Sequence, residues 1–182
     1  MVCTALLAAV SSVLMFLETP LPFFPEFLKL DISDLPAVLA AIAYGPLSGF
    51  MVELVKNLVH ILQTKTVGIG ELANLLVGTA LVLPFGFFRN LRIIKSSRIR
   101  TLLSGIAGTL LMTLVAFQAN CFFLLPAFEA VSDVPPGTYL VLLPGILLFN
   151  VLKGLIVTLL AVLCEKRITS VLLNGLQTHP KG

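Results

Sequence analysis

Charged side chains are scarce in this sequence, tryptophan is absent, and there are only two histidines. Each shortage closes off a class of function. Charged residues make up 12% of the 182 positions, against roughly a quarter in soluble domains. Hydrophobic residues reach 58%, and mean hydropathy is +1.05. A water-soluble globular chain is excluded, which leaves a polytopic membrane protein. His60 and His179 lie too far apart for a two-histidine zinc helix. Cys3, Cys121 and Cys164 sit in apolar segments without C-x-x-C spacing, so they read as small buried residues rather than a disulfide set or a metal site. No G-x-x-x-x-G-K-[ST] loop occurs. Nothing here cradles a nucleotide phosphate, so ATP-driven work falls to a partner. The apolar start lacks a basic n-region and a clear cleavage site, so no cleavable signal peptide is evident.

What the chain does have is long apolar runs interrupted by a few polar residues. Residues 139–164, YLVLLPGILLFNVLKGLIVTLLAVLC, are long enough to cross a bilayer, which takes roughly 20 mostly apolar residues. Asn150 and Lys153 fall near the middle of this run, three apart and therefore on one helix face. A lysine at mid-bilayer costs about 2.5–3.5 kcal/mol even on the lenient insertion scale, so it faces protein, water or a ligand. Two readings follow. A buried carboxylate elsewhere neutralises Lys153 and the pair serves packing, or the two residues form a polar clamp for a solute.

Residues 2–17 form the first apolar run, short for a span unless a preceding segment completes it. Ala5 and Ala9 make a small-x-x-x-small pair, which suits close helix approach, either within the bundle or with another protein. Residues 18–34 carry three prolines, three phenylalanines and five charges, which predicts a partly buried loop over the mouth of a bundle. Ser33 or Asp34 is placed to cap the next helix, with Pro36 in its first turn. A short helix over 35–44 ends at Gly45-Pro46. The third span, 47–63, carries Glu53, Lys56, Asn57 and His60 on one face, read as an internally paired stripe with a direct ligand role as the alternative.

A turn at 64–70 leads to a fourth span, 71–88, with Asn74 one turn from Glu71. Residues 89–100 hold five basic residues and no acidic one. Lacking aromatic interleaving, this run argues against nucleic acid and marks the cytoplasmic side. The fifth span, 101–123, has Gly105 and Gly108 near its start and Asn120 near its far end. Residues 124–138 read as a loop, and a polar tail follows residue 164. The expected fold class is an all-α membrane protein: one domain over 1–182 with six transmembrane helices, both termini cytoplasmic.

The segment FLKLDISDLPAVLAAIAYGPLSGFMVELVKNLVHIL resembles the first loop and helices two and three of the S components of energy-coupling factor (ECF) transporters. It looks most like their riboflavin-specific group, RibU. ANCFFLLPAF and LLFNVLKGLI also resemble that group, and the likeness covers nearly the whole chain. The resemblance implies the ECF S-component fold and no enzymatic activity. It also implies a subunit that captures riboflavin as its transported ligand, carrying no cofactor, and topples in the bilayer. Its partners would be a transmembrane coupling protein and two cytosolic ATPases. Asn120, Asn150 and Lys153 match positions that hold the flavin ring edge in the family. Phe117, Phe122 and Phe149 would cover the flat apolar ring. The first loop around Phe27 to Asp31, with Lys29, Leu30 and Asp31, would close over the ligand and meet the ribityl chain, and Asn74 joins the substrate-binding set. Ala5 and Ala9 match the family's docking face for the coupling protein.

Three rival readings compete with this one. An S component for thiamin, biotin or a queuosine precursor keeps the fold, but the N-x-x-K on helix six and Asn120 favour a flavin, as does the lack of tryptophan. An intramembrane protease or lipid phosphatase would need a second histidine or acid motif beside Glu53, Lys56 and His60. A structural membrane protein leaves the cost of Asn150 and Lys153 unexplained.

Overall fold

The computed structural model describes all residues except 23, 25–27, 64–67, 90, 92, 93, 95, 133, 134, 136 and 178–182, and for 128, 132 and 165–177 it describes the backbone alone. Glu26, Phe27, Arg92, Lys95, Asp133 and His179 therefore lie outside the described residues, as do the side chains of Lys166 and Arg167. The chain is mostly helical. α1 (Val2–Met15) leads to a minimal antiparallel hairpin, β1 (Thr19–Pro20) with β2 (Lys29–Leu30), in which Thr19 pairs with Leu30 and Pro20 with Lys29. Then follow α2 (Asp34–Tyr44), α3 (Pro46–His60), α4 (Ile69–Phe88), α5 (Ser97–Ala119), α6 (Leu125–Ser132) and α7 (Leu143–Gln177).

The central element is α2. Its sequence, DLPAVLAAIAY, is apolar nearly all round, and it is buried nearly all round: Ala37, Val38, Ala40 and Ala41 are fully enclosed. Small side chains let α3, α4 and α7 approach it closely. Gly45 ends α2 at φ +103°, a conformation that favours glycine, and Pro46 opens α3 at a position where a missing N–H costs nothing. Leu81, Val82 and Phe85 of α4, Met112 and Ala116 of α5, and Val157 and Ala161 of α7 complete the core.

The α5/α7 contact is a reciprocal fit of glycine and threonine. A Cβ on Gly105 would run into Thr158, and one on Gly154 would sit 2.6 Å from Thr109 Oγ1. Removing either hydrogen-only side would push the two helices apart.

Four details differ from the sequence reading. The fold is not purely helical, because the first loop closes as a two-residue strand pair. Residues 124–138, read as a loop, contain α6; before it, residues Asn120–Leu124 form a π-turn in which the Leu125 N–H bonds the Asn120 carbonyl. Pro126 has no N–H to extend the ordinary ladder, and a widened turn precedes it. The helix of α7 continues through the stretch read as a polar tail, since no proline interrupts it before Pro180. Finally, Asp34 does not cap α2: neither it nor Ser33 makes a side-chain cap bond. Its carboxylate is recruited by two lysines.

Among the described residues, three helical stretches have the length and apolarity to cross a membrane: Ile69–Phe88, Ser97–Val131 and Thr138–Cys164. Val2–Met15 and Asp34–Tyr44 are shorter apolar helices.

Candidate ligand site

A cavity of about 530 Å³ opens beneath the hairpin, between α1, α3, α4, α5 and α7. Its walls divide by chemistry. Met112 of α5, Leu124 of the widened turn, Leu125 at the start of α6, and Ile146 and Phe149 of α7 give an apolar face. Phe24 of the first loop meets Phe149 edge-on at 5.5 Å, so an aromatic pair stands beside this face.

Asn120 and Asn150 line the same cavity. Asn120 Nδ2 donates to the Ala116 carbonyl and Asn150 Nδ2 to the Ile146 carbonyl, both at 2.8 Å. Each amide thus spends one N–H on its own helix, which fixes which end is oxygen. Among the described residues the remaining N–H and the carbonyl oxygen of each make no hydrogen bond, although both side chains are buried. Two anchored amides therefore present acceptors and donors to an enclosed apolar space. That arrangement suits a planar group whose edge alternates carbonyls with an N–H.

Lys153 lies one turn from Asn150 and also lines the cavity. Its ammonium is 3.0 Å from Asp31 Oδ2, 3.2 Å from Asn74 Oδ1 and 3.1 Å from Asp34 Oδ2. Asp31 and Asn74 accept hydrogen bonds from it, and Asp34 Oδ2 meets it as an ion-pair partner. Lys153 is paired with buried carboxylates, as one of the two readings from sequence had it, and a cavity adjoins it. Asp31 and Asn74 reach the same wall. Asn74 Nδ2 donates in turn to Asn57 Oδ1 at 3.1 Å, tying α4 to α3.

The rest of the lining is largely polar. His60 Nδ1 lies 3.0 Å from Glu71 Oε1, and His60 stacks on Phe16 at 5.5 Å. Glu18 pairs with Lys29 across the hairpin. Glu18, Lys29, His60, Gln63 and Glu71 supply a ring of donors and acceptors suited to hydroxyl groups.

Seven of the residues singled out from sequence converge on one space: Lys29, Asp31, Asn74, Asn120, Phe149, Asn150 and Lys153. Two do not. Leu30 is held in the strand pair and does not reach the cavity wall. Phe117 is 42% exposed on the outer face of α5, and Phe122 is 82% exposed. The apolar wall comes instead from Met112, Leu124, Leu125 and Ile146, which sequence reasoning passed over because they look like any other core residue. Glu71 and His60 were legible as polar residues in apolar spans, but nothing in the spacing says they face each other. Ala5 and Ala9 are both exposed on α1, while Ala8 and Ser12 turn inward. Among the described residues no cluster of three or more histidine, cysteine or acidic side chains is arranged to hold a metal ion.

Comparison with known proteins places this geometry in context. The family model described as "ECF transporter, substrate-specific component" matches residues 1–164. The riboflavin transporter FmnP of Bacillus subtilis is 38% identical over 168 residues, covering 87% of this chain and 85% of its own length. The riboflavin transporter RibU of Staphylococcus aureus is 33% identical over 177 residues, covering 94% and 91%. The solved structure of the S component of a bacterial ECF transporter superposes with a TM-score of 0.78 at 32% identity, over 94% of this chain and 95% of that one.

Proposed function

The chain belongs to the substrate-specific components of ECF transporters, and on that premise we propose that it is a riboflavin-binding subunit mediating uptake of the vitamin. It is a transporter component, not an enzyme. The observation that carries the ligand assignment is the pair of anchored amides, Asn120 and Asn150, facing an enclosed apolar wall. An isoalloxazine edge offers two carbonyl acceptors flanking one N–H donor, which the two amides complement. Its flat remainder lies against Met112, Leu124, Ile146 and Phe149. The ribityl hydroxyls extend toward Glu18, Lys29 and Glu71 of the polar lining. Lys153 shapes the wall by holding Asp31 and Asn74, and it reaches a ring oxygen only by exchanging one of its three partners.

The wider assembly follows the same reading. The chain makes six passes through the bacterial plasma membrane with both termini inside, the basic run at 89–100 marking the cytoplasmic face. Energy comes from a transmembrane coupling protein and two cytosolic ATPases. The exposed Ala5 and Ala9 form the docking face on α1.

Protein purified in detergent should be yellow, with a flavin absorption band that persists through gel filtration. A colourless preparation that takes up no added riboflavin would point to another vitamin.

A further inference from the structure

Behind the cavity wall lies a closed ring of buried polar contacts. Lys56 donates to Ser33 Oγ at 3.0 Å, and Ser33 Oγ donates to Asp31 Oδ1. Asp31 Oδ2 accepts from Lys153, whose ammonium also meets Asp34 Oδ2 at 3.1 Å. Asp34 Oδ1 accepts from Lys56, which closes the ring. The members come from the segment after β2, from α2, from α3 and from α7. Asp31 and Lys153 line the cavity; Ser33, Asp34 and Lys56 stand behind it, fully buried.

We propose that Lys56 is a positioning residue for ligand capture: through Asp34 and Ser33 it holds Lys153 and Asp31 in the cavity wall. This rests on the riboflavin reading above. Lys56 is the ring's one contribution from α3 and reaches both of Lys153's carboxylate partners, one directly and one through Ser33. The charge count supplies the force. Asp31, Asp34 and Glu53 set three carboxylates against the two ammoniums of Lys56 and Lys153, with Glu53 Oε2 lying 3.0 Å from Lys56. Without Lys56, a single ammonium answers all three carboxylates in a low-dielectric interior. Lys153 is then drawn back toward Asp34 and away from the wall. A Lys56 of purely structural role would lower stability when removed, but its effect on affinity would not depend on Lys153.

The test is a double-mutant cycle on riboflavin affinity, read by quenching of flavin fluorescence with the purified chain. Lys56→Met should weaken binding about tenfold or more, because it leaves the wall's charges unbalanced. In a Lys153→Met background the same change should cost no more than about threefold, because the residue it acts through is gone. Adding Glu53→Gln to Lys56→Met restores the original excess of one carboxylate and should recover most of the lost affinity. Losses that add across the cycle, or no recovery with Glu53→Gln, overturn the proposal. Should the wild type bind no riboflavin, the ligand assignment fails on its own. Melting of the ligand-free variants then decides the ring, since non-additive midpoints support it and additive midpoints overturn it.

Discussion

Replacing Asn150 by leucine separates binding from folding more cleanly than any other change at this site. The amide's one intramolecular bond goes to the Ile146 carbonyl at 2.8 Å, an acceptor that the helix backbone already serves. Leucine has nearly the same volume and suits an apolar span, so the fold should lose little. Binding should lose much. A flavin edge atom left facing a methyl group inside the cavity forfeits a buried hydrogen bond, a cost of about 1–3 kcal/mol. At about 1.4 kcal/mol per decade, that is about a 5- to 150-fold rise in Kd. Titrating riboflavin into purified wild type and variant, with the melting midpoint as a control, reads both quantities. An affinity within about twofold of wild type, in a variant that still folds, would refute the role given to the amide.

The remaining predictions concern the scaffold around it. Lys153→Met removes the partner of Asp31 and Asp34 together, and stranding buried carboxylates costs about 3–5 kcal/mol, so its melting midpoint should fall along with its affinity; an unchanged midpoint would contradict the ion pairing. Gly78→Ala places a methyl against the Glu53 carboxylate, and such overpacking costs about 1–3 kcal/mol, visible as a lower melting midpoint; equal stability would show that Glu53 is free to move aside. Ala5→Trp or Ala9→Trp should abolish uptake by the assembled transporter while leaving riboflavin binding to the isolated chain intact. Loss of binding instead would mean that this face packs within the bundle.

Much of the site was legible because polar residues are conspicuous in apolar spans. Asn150 and Lys153 stand out on cost alone, Asn120 enters through the family resemblance, and the structure brings all three to one cavity. Spacing put Glu53 within reach of Lys56 or Asn57, and Lys56 within reach of His60; Glu53 lies 3.0 Å from Lys56, while Lys56 turns to Asp34 and His60 pairs with Glu71 of α4. Other features could not be read. Asp34 sits where a helix cap belongs, and only the tertiary arrangement shows that two lysines from distant helices claim it instead. Phenylalanine looks like the natural cover for a flat ring, yet helix phase turns Phe117 and Phe122 outward and gives the wall to Met112, Leu124 and Ile146. The widened turn at Asn120–Leu124 reflects a proline's missing donor, an effect periodicity alone does not register.

The central claim is that two anchored amides hold the edge of a flavin ring within this cavity. A crystal structure of the chain grown with riboflavin tests it most directly. The account predicts ring-edge oxygen and nitrogen atoms within about 2.7–3.2 Å of the Asn120 and Asn150 side chains, with the ribityl chain toward Glu18 and Glu71. A flavin bound the other way round, its ring beside His60 and both amides left empty, would contradict it.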